Sequence, residues 1–228
     1  MLSPQSQLME RNLALFEEGN WLIINPADAY FADQIDHRPV TFLHQYFDIF
    51  SESVRVIPCC EFDSRDVSHS EAGFCIEQKT GAHRHLFAPF IPAETCFSDI
   101  LIYMPKSKAH MQMLLAMAVS ALQEGGRIHI VGENKGGIKS IGKLIEKTGP
   151  SQKVDSARHC SLVTVMPEKA GTAFKPGDWI DESEYEVQGI QWEVVSMPGV
   201  FSHGELDDGT RMLLDKGSDR LRGKVLDF

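Results

Sequence analysis

The sequence predicts an α/β protein, an open sheet with helices on both of its faces. Three observations carry that expectation. From Asp99 onward, apolar runs of strand length alternate with helical segments in the order strand, helix, strand, helix, strand. The pairs Gly125-Gly126 and Gly149-Pro150 stand where the two helices should stop. Apolar residues make up 43% of the 228-residue chain and charged residues 24%, a composition that can bury a sizeable core.

The elements follow in order. Residues 4–18 read as an opening helix, capped by Ser3, begun by Pro4 and ended by Gly19. Trp21 to Ile24, Val40 to Leu43 and Val54 to Ile57 have the apolar, β-branched character of short strands. Residues 61–95 are irregular, with a strand expected from Gly73 to Gln78. Asp99 to Tyr103 is a strand, Lys108 to Gln123 a Met-, Leu- and Ala-rich helix, and Arg127 to Val131 the next strand. A helix over Ile138 to Lys147 leads to one or two strands between Val154 and Val165. The stretch 167–184, with Pro167, Gly171, Pro176 and Gly177, reads as a linker. Tyr185 to Val195 alternates about Gly189 as a hairpin should. A short helix from Gly209 to Asp215 precedes a last strand at the C-terminus.

Several function classes are disfavoured at this level. No apolar run is long enough to span a membrane, since Gln112 and Ser120 interrupt the best candidate. The N-terminus has neither the basic start nor the apolar centre of a signal peptide. Five cysteines, an odd count without Cys-x-x-Cys spacing, read as reduced thiols in a cytoplasmic protein. His83 and His85, in Gly81-Ala82-His83-Arg84-His85, lack a third ligand at metal-site spacing and read as a loop, so no metal is expected. His129, alternating with apolar neighbours, is expected to be a satisfied, half-buried histidine. Cys59-Cys60 has no base beside it in sequence that would make a nucleophile. The cluster Met111, Met113, Leu114, Leu115, Met117 and Ala118 reads as core.

Charge is segregated. The formal net charge is −10, yet residues 106–165 carry nine basic and four acidic side chains between two acidic flanks. A local basic face can hold phosphates on an acidic molecule. Within this block Lys135, Lys139, Lys143 and Lys147 recur every fourth residue, a stripe on one face of a continuous helix. Lys153 and Arg158 lie just beyond. The stripe is read either as an ordinary solvated face or as an RNA contact. The segment from Gly132 to Gly137 nearly matches a phosphate-binding loop, but its lysine falls one residue late, and it reads as a glycine-rich turn.

Four segments carry a resemblance: Leu101-Ile102-Tyr103-Met104-Pro105-Lys106, Val131-Gly132-Glu133-Asn134, Lys153-Val154-Asp155-Ser156-Ala157-Arg158 and Pro198-Gly199-Val200-Phe201-Ser202. The closing Gly223-Lys224-Val225-Leu226-Asp227 then has the form of a first strand ending in an acid before a glycine-rich cofactor turn. From Asp99 to its end the chain thus resembles the ribosomal RNA small subunit methyltransferase C (RsmC) family. Members transfer a methyl group from S-adenosylmethionine (SAM) to N2 of a guanine in 16S rRNA.

The resemblance implies two methyltransferase-like, Rossmann-type domains in tandem, with cofactor and chemistry in the second. It places a degenerate N-terminal domain over residues 1–168, a linker over 169–184, and the start of the catalytic domain over 185–228. The glycine-rich loop would follow Phe228, so the chain is expected to be a fragment. Where a catalytic copy would present Asn-Pro-Pro-aromatic to a guanine, this chain has Met104-Pro105-Lys106. Met104 cannot replace the hydrogen bonds of an Asn side chain, and Lys106 has no aromatic face. After Trp21 to Ile24 comes Asn25-Pro26-Ala27-Asp28, with no glycine to admit a cofactor closely. No catalytic residue is therefore expected in this chain, and no SAM bound to it alone. Phe201, Thr210, Leu214 and Asp227 are the implied partial cofactor site. The implied partners are 16S rRNA or the small ribosomal subunit, and the catalytic domain of the same protein. The alternative is a non-catalytic RNA- or protein-binding α/β module.

Overall fold

The computed structural model describes residues 1–55, 67–70, 73–92, 95–168, 173–200 and 202–217. They form two compact units, Met1–Pro176 and Gly177–Phe228.

The first unit is built on a nine-stranded sheet among the described residues. Its strands are β1 (Trp21–Ile24), β2 (Val40–His44), β3 (Val67–Ser70), β4 (Gly73–Thr80), β5 (His83–Phe87), β6 (Phe97–Tyr103), β7 (Leu122–Glu133), β8 (Ser151–Ala157) and β9 (Cys160–Val165). They lie in the order β3-β4-β5-β2-β1-β6-β7-β9-β8. The five central strands, β5 to β7 in that order, run parallel, while β9 is antiparallel to both its neighbours. Strand β1 lies in the middle and all four of its residues are buried, as parallel strands covered on both faces require.

Ser3 caps α1 (Pro4–Glu10), its hydroxyl accepting from the Ser6 N–H at 3.1 Å, with Pro4 at the first helical position. The chain then passes through a 3₁₀ turn at Leu13–Glu17 instead of continuing as helix. Leu8, Met9 and Phe16 join Trp21, Phe42, Leu101, Tyr103 and Leu162 in one core on one face of the sheet. Helix α2 (Phe47–Val54) and its C-cap Arg55 take the first two residues of the strand expected from Val54 to Ile57; residues 56 and 57 lie outside the described residues. The amphipathic run Phe47, Phe50 and Ser51 explains the helix, which ends with Arg55 in the left-handed region.

Helix α3 (Lys108–Ala121) is capped by Ser107 and packs on β6 and β7, with Met111, Met113, Leu114 and Met117 buried. It stops two residues earlier than expected because β7 already begins at Leu122. Gly126 makes this possible: a Cβ there would sit 2.7 Å from the Leu122 side chain and from the Ser98 carbonyl oxygen.

The helix expected over residues 138–147 is broken. Ile138–Ser140 is a 3₁₀ turn and only Ile141–Ile145 (α4) is α-helical. Gly137, at φ 100°, sets the chain on this path, and Gly142 adds a weak helix former.

Of residues 81–85, expected to be a loop, only Gly81 and Ala82 form a turn. His83 and His85 lie on β5, buried, beside His44 of β2. Gly81, at φ 59°, turns β4 into β5, which the sequence reading took for irregular chain.

In the second unit β10 (Asp181–Val187) and β11 (Ile190–Ser196) form an antiparallel hairpin, followed by α5 (Asp208–Gly217). Gln188 and Gly189 both have positive φ, the signature of a two-residue hairpin turn. The hairpin takes residues 181–184 from the expected linker. At that linker's other side, Phe174 is tied to the first unit, its N–H donating to Ser120 Oγ at 2.9 Å and its ring 5.5 Å from Phe90.

Candidate functional site

In an open α/β sheet, ligands bind beyond the carboxyl ends of the strands where the strand order reverses. Here that point lies after β1 and β6. It is filled by a closed polar network. Asn25, at φ 52°, receives the Gln45 N–H on Oδ1 at 2.8 Å and returns its amide to Gln45 Oε1 at 2.7 Å. His110 Nε2 donates to the same Oε1 at 2.7 Å, and Gln45 Nε2 donates to the Pro89 carbonyl at 2.6 Å. Burial holds His110 neutral, its pKa pushed down to about 4. Asp28, also buried, accepts from the Ser3 and Tyr30 N–H groups. The turn after β1 therefore presents filled, satisfied side chains where a cofactor would need bare backbone. Its residues do not fit SAM.

Beside this plug lies an open cleft of about 490 Å³, at the carboxyl ends of β6 and β7. Its rim carries Lys106, Lys108, Lys143 and Lys147; Met104 and Leu144 supply apolar surface beneath, backed by the buried Met111 and Ile141. Among the described residues no acidic side chain lines it, and none of the four lysines is held in an ion pair. Such a site attracts an anion and gives it an apolar surface to lie on.

Of the six basic residues singled out in the sequence, the cleft brings together only Lys143 and Lys147. Lys135 and Lys139 sit in the 3₁₀ turns before α4, Lys153 on β8, and Arg158 in the β8–β9 turn; all are exposed. Lys106 and Lys108, which also line the cleft, are not among the six, though they stand between the end of β6 and the start of α3, where α/β proteins bind ligands. Thr210 serves as a helix-start residue: its N–H and hydroxyl both donate to Asp207, at 2.9 and 2.6 Å, and hold that carboxyl below its usual range. Leu214 is half-buried on α5. Phe201 and Asp227, like Cys59-Cys60 and the closing strand, lie outside the described residues.

The remaining buried titratable groups belong to the scaffold. His129 is buried, 2.8 Å from Thr164 Oγ1 and 3.3 Å from Asp99 Oδ1, and stacks on Trp21 at 5.1 Å. Burial pushes the Asp99 pKa up, but hydrogen bonds from His129, Arg127 and Ser98 outweigh it and hold the carboxyl below its usual range. His44 Nε2 and His85 Nδ1 are 3.1 Å apart and share one hydrogen bond. Burial, with the neighbouring ring adding to it, pushes His44 down to about 3 and His85 to about 4. Among the described residues no three His, Cys, Asp or Glu side chains are grouped to hold a metal ion.

A five-stranded parallel core with one reversed strand beyond each end, β4 and β9, and a plugged turn after β1 gives a methyltransferase-like α/β domain. Known proteins place it further. The Methyltransferase small domain N-terminal family matches residues 63–183, and the Methyltransferase small domain family matches residues 191–228. The chain belongs to the former family, and its resemblance to the RsmC type is borne out over its whole length, including the part before Asp99, where the residues by themselves resemble it poorly.

The ribosomal RNA small subunit methyltransferase C of Alteromonas mediterranea is 58% identical over 228 residues, 100% of this chain and 63% of that protein. The protein of the same name from Pseudoalteromonas atlantica is 39% identical over 229 residues, 100% of this chain and 61% of the relative. The chain thus spans about three-fifths of the length of these curated relatives. Among solved structures, the T. thermophilus 16S rRNA N2 methyltransferase (RsmC) in complex with AdoMet and guanosine superposes with a TM-score of 0.69. The match covers 96% of this chain and 53% of that one at 17% identity, and it shows the fold. No helix among the described residues is long and apolar enough to cross a membrane.

Proposed function

We propose that this chain is the N-terminal part of a SAM-dependent 16S rRNA guanine-N2 methyltransferase that acts in the cytoplasm on the small ribosomal subunit or its RNA. The observation that carries this reading is the alignment of the whole of this chain, at 58% identity, with 63% of a ribosomal RNA small subunit methyltransferase C. In this reading residues 1–168 are a degenerate methyltransferase-like domain, 169–184 a connection, and 185–228 the entrance to the catalytic domain. The first domain does not carry the chemistry. The plug of Asn25, Gln45 and His110 supports that role, because it fills the position where SAM would need an open backbone turn. SAM, when bound in the whole protein, supplies the methyl group. Thr210 and Leu214, with Phe201 and Asp227, flank its site.

The first domain in turn holds RNA. Lys135, Lys139, Lys143, Lys147, Lys153 and Arg158 contact phosphates and do not read bases, since lysine is a mobile point charge poorly suited to bidentate base recognition. The test is transfer of radiolabelled methyl from SAM to small-subunit RNA. The protein extended through its natural coding sequence should methylate guanine N2, while residues 1–228 alone should neither methylate RNA nor bind SAM in a calorimetric titration. Micromolar SAM binding by residues 1–228, or no methylation by the extended protein, contradicts the reading.

A further inference from the structure

We propose that the lysine-rimmed cleft at the carboxyl ends of β6 and β7 is a nucleotide seat, which takes one residue of a single-stranded RNA with its phosphates on the rim and its base on the apolar floor. This rests on the RNA-binding reading above and adds a specific site to it. The two halves of the cleft carry the two halves of the ligand. Lys106 and Lys108 flank the start of α3 on one side, and Lys143 and Lys147 come from the α4 side. Among the described residues no acid lines the cleft and none of the four lysines has an ion-pair partner. The chain as a whole is net −10, so four clustered cations without a carboxylate are a local exception. Beneath them, the half-buried Met104 offers a polarisable, adaptable side chain that fits a flat aromatic face, with Leu144 beside it. The volume of about 490 Å³ lies within the range of small-molecule sites, roughly 300–1,000 Å³. An inorganic anion would use the rim and leave the floor bare. An acidic peptide would use the rim but leave the floor bare unless an aromatic residue stood beside its acids. A nucleotide uses both. Single-stranded RNA is the favoured source, because a duplex does not expose a base face to such a cleft.

The experiment uses the full 228-residue chain and a short fluorescent single-stranded oligoribonucleotide of mixed sequence, followed by anisotropy across salt concentrations. K106Q/K108Q removes two cleft charges that lie outside the Lys135–Lys147 stripe, and K135Q/K139Q removes two stripe charges that lie outside the cleft. Loss of two phosphate contacts to a single strand should lower the slope of log affinity against log salt by about 1.4. Between about 50 and 200 mM salt, K106Q/K108Q should therefore lose about sevenfold less affinity than the parent chain. Guanosine monophosphate should also shift the labelled methyl signal of Met104 and leave exposed Met166 in place.

RNA binding that K135Q/K139Q weakens but K106Q/K108Q does not would overturn the cleft and leave the general RNA role standing. No RNA binding by the parent chain would overturn both. Equal methyl shifts from inorganic phosphate, or from a short acidic peptide, would overturn the nucleotide assignment. All three proteins should share one thermal midpoint, since the substituted side chains are exposed.

Discussion

Acid should unfold the first unit before its carboxylates titrate. His44, His85 and His110 are each almost fully buried, with exposures of 1%, 0% and 2%. Burial lowers their pKa values to about 3, 4 and 4. An unfolded histidine titrates near 6.5. The folded state therefore binds fewer protons than the unfolded one throughout the window between these values. The stabilisation is fully present above about pH 6.5 and is lost as pH falls toward 4. Each group contributes a slope of about 1.4 kcal/mol per pH unit. From pH 6.5 to pH 5 that is about 2 kcal/mol per histidine, and about 6 kcal/mol for the three. A typical domain has only about 5–15 kcal/mol in total. His44 and His85 share a hydrogen bond, so their titration belongs to the pair. The assay is urea unfolding by far-UV circular dichroism at successive pH values. The midpoint should fall steeply between pH 6.5 and 5, and the double variant H44F/H85L should lose about two-thirds of that slope. A flat midpoint over this window, or an unchanged slope in the double variant, refutes the reasoning.

Three further outcomes are expected. Gln45→Leu removes the shared partner of Asn25 and His110 and should cost about 2–4 kcal/mol, read as a lower urea midpoint; a change below about 0.5 kcal/mol would mean the plug is not held by these bonds. Gly126→Ala places a Cβ 2.7 Å from the Ser98 carbonyl oxygen, so the β6–β7 junction must move; a loss of about 1–3 kcal/mol is expected, and an unchanged melting temperature would contradict it. Amide exchange should be faster in β10 and β11 than in β6 and β7, because a two-stranded hairpin with Ile190, Trp192 and Val195 exposed is marginal by itself; equal protection in a dilute sample would refute this.

Much of this protein was legible in the residues. The buried run Trp21 to Ile24, the alternation of strands and helices after Asp99, the Ser3-Pro4 helix start and the Gly189 turn are local signals. Each depends on periodicity, capping or backbone freedom within a few residues, and the structure follows them. The contrast of Met104-Pro105-Lys106 and Asn25-Pro26-Ala27-Asp28 with a working methyltransferase site is of another kind: it rests on the family resemblance, not on a local signal. Other features depended on contacts distant in sequence. His83 and His85 read as loop because two histidines and an arginine give no strand period. Pairing with β2 and β4 makes them strand, and Phe42 stacking on His85 at 4.8 Å makes them core. The four-residue lysine spacing implied one helical face, but Gly137 and Gly142 break that helix, and the stripe divides. Lys143 and Lys147 turn into a cleft with Lys106 and Lys108, more than thirty residues earlier, while Lys135 and Lys139 do not. The sequence alone determined the elements and the class of fold, because those depend on near neighbours. Only the tertiary structure decided which cations share a cleft and which side chains plug the turn after β1, because strand order, not spacing, brings them together.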